Sequence, residues 1–78
     1  MVTVLREDGL RVVIFVNDHV PAHVHVFADG EAKITMSKNG ETELVWAVGM
    51  TKGDVRRAVR LVERHRDFLL ERWMDIHG

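Results

Sequence analysis

Two histidines alternate with valine near the middle of the chain, in the segment His23-Val24-His25-Val26. Residues two apart in a strand point to the same face, so these imidazoles are expected about 6–7 Å apart. Such a pair can ligate one metal ion, and it can also act as acid and base in phosphodiester chemistry. Strand histidines also fill half-buried faces and hydrogen-bond the backbone, so a structural role is the third alternative.

The turn before this strand supplies further candidate ligands. Asp18 and His19 precede the histidine pair by a few residues, and either side chain could complete a metal site. The candidate metal ligands are therefore His19, His23 and His25, with Asp18 as an alternative third ligand. The chain has no cysteine, which excludes a disulfide and a thiolate metal site. No cofactor is expected, and a divalent metal at these candidate ligands is the alternative.

Arginines in the C-terminal third form a second candidate site. Arg56, Arg60 and Arg64 are spaced four apart and therefore share one ridge of a helix. With Lys33, they are predicted to contact RNA phosphates or an acidic protein partner. If the protein cleaves RNA, His23 and His25 are the predicted acid and base. The alternative for the arginine ridge is a solvated surface with ion pairs inside the helix.

Glycine turns divide the first 47 residues into β-rich runs. Asp-Gly or Asn-Gly occurs at three junctions, a pattern typical of hairpins. The sequence thus predicts an α+β fold with an antiparallel meander of four to five strands and one long C-terminal helix over residues 52–76. The predicted strands are Val2–Arg6, Leu10–Val16, His23–Ala28, Glu31–Met36 and Thr42–Ala47.

The helix begins at a motif that resembles a capping box, Thr51 with Asp54. Apolar residues recur at helical spacing from Val55 to Ile76, with Leu61 and Phe68 to one side as a secondary contact patch. Trp46 and Trp73 are predicted as core anchors, with interface hot spots as the alternative for either residue.

The predicted sheet has two different faces. Val24, Val26, Ile34 and their neighbours form the seat for the helix, while His23, His25, Lys33 and Thr35 lie on the opposite face. The second strand is apolar on both sides, and one helix cannot cover both faces of a sheet. The histidine face is therefore expected to be a binding surface, or to be covered by a second copy or by a small protein partner.

Composition limits the class of protein. Its 78 residues, 46% hydrophobic and 29% charged, are expected to form one globular domain over 1–78, marginally stable alone. The net charge of −1 gives no general attraction to nucleic acid or to membranes. The N-terminus does not resemble a signal peptide and no apolar run could span a bilayer, so a cytoplasmic location without membrane contact is expected.

Several stretches resemble the domain of unknown function 4160 family of small bacterial and archaeal proteins. The likeness lies in Thr3-Val4-Leu5-Arg6, Asn17-Asp18-His19, Pro21-Ala22-His23-Val24-His25-Val26, Gly30-Glu31-Ala32, Gly49-Met50-Thr51 and Trp73 with Ile76-His77-Gly78. The resemblance implies that such a protein is encoded beside a second small protein with a helix-turn-helix-like domain, as in a toxin–antitoxin pair.

Two hypotheses for function follow. In the first, the protein is a component of a toxin–antitoxin-like module that acts through a protein partner and on RNA. In the second, it is a non-catalytic regulatory module whose histidine face binds a ligand, a metal or a protein.

Overall fold

One antiparallel sheet of five strands, in chain order, forms the centre of the molecule. The computed structural model describes residues 1–37 and 40–78. All five strands begin at the predicted residue, and the meander is confirmed. The strands are β1 (Val2–Glu7), β2 (Leu10–Ile14), β3 (His23–Phe27), β4 (Glu31–Met36) and β5 (Thr42–Val48).

The first hairpin turn has the geometry that its residues predict. Asp8 and Gly9 both have positive φ, 53° and 77°, as a two-residue turn between twisted antiparallel strands requires. Asp29, before Gly30 at the β3–β4 turn, also has a positive φ of 56°. The third predicted turn includes Asn39, which lies outside the described residues.

The C-terminal region contains two helices, and the prediction of one long helix was wrong. They are α1 (Lys52–Arg64) and α2 (Arg66–His77), separated at His65, whose φ of −108° and ψ of 20° leave the helical range. Glu7 of β1 contacts the chain at this break, pairing with Arg64 and lying 3.1 Å from His65 Nε2. The sheet therefore holds the chain at the point where α1 ends.

The start of α1 agrees with the sequence. The Thr51 hydroxyl accepts a hydrogen bond from the Asp54 backbone N–H at 3.1 Å, which caps the helix. None of the helices in the described ranges is long and apolar enough to cross a membrane.

The core lies between the two helices and the sheet face that was predicted to pack against a helix. Its sheet residues include Val12, Val24 and Ile34, which are fully buried. Leu61 is also buried at 2% exposure, so its assignment to a peripheral contact patch was wrong, whereas Phe68 is 44% exposed. The helical residues of the core are Ala58, Leu61, Val62, Leu69 and Trp73.

Candidate functional site

The two histidines lie side by side on β3. Antiparallel pairing places His23 opposite Thr35 and His25 opposite Lys33 on β4. The imidazole centroids are 5.4 Å apart, so the predicted pair is present on one face of the sheet. Backbone pairing on both sides of β3 holds the two residues in register.

Both imidazoles are buried, although the sequence predicted that the chain's own helix would leave the histidine face uncovered. His23 is 4% exposed and His25 is 8% exposed. Trp73 of α2 lies 5.1 Å from the His23 ring, and Phe15 contacts the His25 ring edge-on at 4.5 Å. Helix α2 therefore covers part of the histidine face, which a single straight helix was not expected to reach.

A contact near the C-terminus anchors this end of α2. The His77 ring stacks on Trp73 with centroids 3.7 Å apart. Its Nε2 lies 3.1 Å from the carbonyl oxygen of Phe15, just after β2. Through His77, Trp73 is thus held next to the residue that follows β2, the strand before the histidine segment.

Each histidine presents Nδ1 to an oxygen that accepts hydrogen bonds. His23 Nδ1 lies 2.8 Å from the Pro21 carbonyl oxygen, and His25 Nδ1 lies 2.9 Å from the Glu31 carboxylate. A carbonyl or carboxylate oxygen can only accept, so both Nδ1 atoms carry the proton. In the neutral rings, both Nε2 atoms are left with free lone pairs.

The Nε2 atoms face the carboxylate of Asp18. Asp18 Oδ2 lies 2.9 Å from His23 Nε2 and 3.8 Å from His25 Nε2. The oxygen is buried and forms no hydrogen bond with the described residues, because the short contact to His23 lacks hydrogen-bond geometry. Asp18, His23 and His25 thus present three potential metal-ligand atoms within 4.8 Å of one another. Of the two ligands considered in the turn, Asp18 joins the pair, whereas His19 is exposed and outside this group.

The predicted phosphate-binding residues do not converge on the histidines. Arg56 and Arg60 are exposed on α1, which packs on the opposite face of the sheet, and Arg64 pairs with Glu7. Lys33 alone shares the histidine face, where it is half-buried between His25 and Trp46 of the neighbouring strands. The structure therefore separates the predicted acid and base from the arginine ridge.

Glu31 is the site residue that sequence reasoning missed. The Asp29-Gly30 turn fixes the β3–β4 register, in which His25 faces Lys33 and Glu31 is the diagonal neighbour two residues earlier. Diagonal neighbours across strands lie within reach of long side chains. The hairpin signal could therefore have placed Glu31 beside His25.

Trp46 lies next to this cluster rather than in the core. Its ring is 5.9 Å from the His25 ring and the residue is 38% exposed, so its assignment as a core anchor was wrong. The cause is a β-bulge: Trp46 pairs with Lys33 while Leu44 pairs with Ile34, leaving Val45 as an extra residue. Trp73, by contrast, is buried in the core as predicted.

The outer strand β5 is exposed along almost its whole length. Val45 is 49% exposed and Val48 is 68% exposed, although both are apolar. β5 pairs with β4 on one side, and no other described strand pairs with its free edge.

The conserved-domain model for a domain of unknown function, DUF4160, matches residues 9–74 of the chain. The chain belongs to the DUF4160 family. The match includes every residue of the histidine cluster and all of β5. No curated protein and no solved structure is significantly similar to this DUF4160 chain.

Proposed function

We propose that this DUF4160 protein is a non-catalytic protein-interaction module that works within a toxin–antitoxin-like pair and binds protein by strand pairing at the edge of β5. The observation that supports the proposal is the exposed apolar β5 strand. Its outer backbone edge offers unpaired N–H and C=O groups, the usual template for strand addition.

The two edges of the sheet differ in how they discourage pairing. β1 carries Arg6 and Glu7, and Glu7 is held by Arg64 and His65 of the helical region. β5 has one charged residue, Glu43, and neither lysine nor proline. Its bulge at Val45 protects only the middle of the strand, and Trp46–Val48 continue in regular register with β4. The free edge is therefore suited to pairing beyond the bulge.

A second copy of this chain is the occupant that we propose for the edge. A two-fold dimer pairs identical edge strands in antiparallel orientation. Centred on Ala47, such a pair places Trp46 opposite Val48 of the second copy, on the histidine side of the sheet. No charged residue lies in this segment, so no like charges face each other across the pair. We expect burial of at least ~1,200 Å² in total.

RNA cleavage is less compatible with the geometry. A general acid and base must come within hydrogen-bond reach of the substrate. His23 and His25 are covered by Trp73 and Phe15, and the arginine ridge lies on the other side of the sheet. We therefore assign the toxin–antitoxin role to protein binding, with the dimer as the unit that a cognate small protein contacts.

Analytical ultracentrifugation at micromolar concentration tests the proposal. The wild-type protein should sediment as a dimer, and Val48→Lys should sediment as a folded 9 kDa monomer because its charge would face Trp46 of the second copy. Val20→Lys is the matched control, since Val20 is 84% exposed but lies outside β5. A wild-type monomer, equal effects of both substitutions, or RNA cleavage that His25→Gln abolishes would contradict the proposal.

A further inference from the structure

We propose that Asp18, His23 and His25 bind one divalent transition-metal ion, for which Zn²⁺ is the best-suited candidate. This inference is independent of the β5 interface, because none of the three ligands belongs to β5.

The first observation that supports a metal site is the position of the proton on each of the two imidazole rings. The Pro21 carbonyl oxygen and the Glu31 carboxylate accept from Nδ1 of His23 and His25 at 2.8 Å and 2.9 Å. Each neutral ring then directs the Nε2 lone pair towards Asp18. A metal-bound histidine has the same arrangement, in which the outer nitrogen donates to a carbonyl or carboxylate oxygen and orients the ring.

The second observation is that lone pairs of the histidine nitrogens and of the Asp18 carboxylate point at one another. His23 Nε2 and Asp18 Oδ2 lie 2.9 Å apart without hydrogen-bond geometry, and this carboxylate oxygen is buried without a hydrogen-bond partner. Two atoms that both carry lone pairs repel each other at this separation unless a proton or a metal ion lies between them. A proton on Nε2 would not point at this oxygen, because the contact lacks hydrogen-bond geometry. A metal ion that accepts both lone pairs, and that of His25, satisfies all three groups together.

The spacing agrees with a first coordination shell. Zinc bonds of about 2.0–2.2 Å to nitrogen and oxygen place neighbouring ligand atoms about 3–3.5 Å apart. The Asp18–His23 and Asp18–His25 separations are 2.9 Å and 3.8 Å. All three ligand atoms lie within 4.8 Å of one another, so metal binding requires the side chains to draw closer together.

The donor set selects the class of metal. Imidazole nitrogen favours zinc, copper, iron and nickel over calcium and magnesium, which prefer shells of oxygen. The absence of cysteine removes the thiolates that would favour Cu(I). The Asp18 side chain is 21% exposed, so solvent can reach the site and supply a further ligand.

A bound ion would connect three parts of the molecule. Asp18 lies in the turn after β2, the histidines lie on β3, and Trp73 of α2 packs against His23. Because an ion that binds only the folded state stabilises it by mass action, Zn²⁺ at 100 times its dissociation constant should raise the melting temperature by about 10 °C or more.

Calorimetric titration of the untagged full-length protein with ZnCl₂ tests the inference. We expect saturable binding of one ion per chain. Asp18→Asn, which keeps the side-chain shape but removes the charge, should weaken binding at least tenfold. Glu31→Gln should weaken it about 10–100-fold, as expected when the group that orients a ligand is changed. His19→Asn is the matched control, because His19 is exposed in the same turn, and it should bind like wild type.

Titration with Co²⁺ gives an independent readout that needs no variant. Visible absorption typical of nitrogen and oxygen ligation should saturate at one equivalent, and Zn²⁺ should displace it. This result would support the site even if Asp18→Asn failed to fold. Wild-type protein that shows no saturable binding of Zn²⁺ or Co²⁺, or binding that His19→Asn removes and Asp18→Asn retains, would overturn the inference.

Discussion

The histidine cluster and the β5 edge are neighbours with opposite surroundings. The ring of His25 lies 5.9 Å from that of Trp46, yet His25 is 8% exposed and Trp46 is 38% exposed. The cluster buries polar atoms, one of them without a hydrogen bond, whereas β5 exposes apolar side chains. Both arrangements are unfavourable in an isolated chain. This contrast is the basis of the two proposals above, an ion for the cluster and a second copy of the chain for β5.

The two tryptophans provide the strongest test of this contrast. Trp73→Ala should lower the free energy of unfolding by about 3–5 kcal/mol, since it leaves a cavity in the core and uncovers His23. Trp46→Ala should cost about 1 kcal/mol or less in the monomer, because its side chain is partly in solvent already. Urea denaturation of each variant in the monomeric Val48→Lys background, followed by circular dichroism, measures both. Equal losses would mean that β5 belongs to the core, and the contrast between the regions would fail.

Gly30→Ala tests whether the β3–β4 turn supports β5. Its expected effect is smaller than that of Trp73→Ala. A Cβ at residue 30 would lie 2.4 Å from the Val48 oxygen and from the Gly49 carbonyl carbon, so Gly30→Ala must displace the end of β5. We expect a loss of about 1–3 kcal/mol in the free energy of unfolding.

Gly53→Ala is the control for this substitution. Apart from the helix backbone and the adjacent residues, the nearest atom to a Cβ at residue 53 would be the Thr51 hydroxyl oxygen at 3.9 Å. The added methyl group therefore meets no clash. This variant, in the first turn of α1, should be as stable as wild type or slightly more stable. Thermal melts of the two variants decide the point: a Gly30→Ala protein as stable as Gly53→Ala would show that the β3–β4 turn does not support β5.

The smallest expected effect lies outside both regions, at the start of α1. A hydrogen bond from the Arg57 guanidinium lowers the pKa of Asp54 below its usual value of 3.8. Because the folded pKa is the lower one, the carboxylate stabilises the fold above pH 3.8, and this contribution disappears as the pH falls through the lowered pKa. Asp54→Asn should therefore reduce the melting temperature slightly at pH 7, and the difference should shrink as the pH falls through the lowered pKa. A difference that stays the same at every pH would assign the effect to the cap rather than to charge.

The strands illustrate what could be predicted from the sequence. Glycine turns and alternating side chains located all five strand starts, because turn chemistry and side-chain periodicity act over a few neighbouring residues. The same periodicity identified His23 and His25 as neighbours and placed Val24, Val26 and Ile34 in the core. The motifs in residues 9–74 also identified the family. These features depend on interactions between residues that are close together in the sequence.

Other features depended on contacts between distant segments, and only the tertiary structure decided them. The helix breaks at His65, where Glu7 lies some sixty residues away in sequence, and the break allows Trp73 to reach His23. The bulge at Val45 turns Trp46 towards His25, and a single extra residue reverses the face of every residue after it. Asp18 joins the histidines because the turn after β2 folds back over β3. Such placements result from packing across the whole molecule, for which no local pattern in the sequence gives a signal.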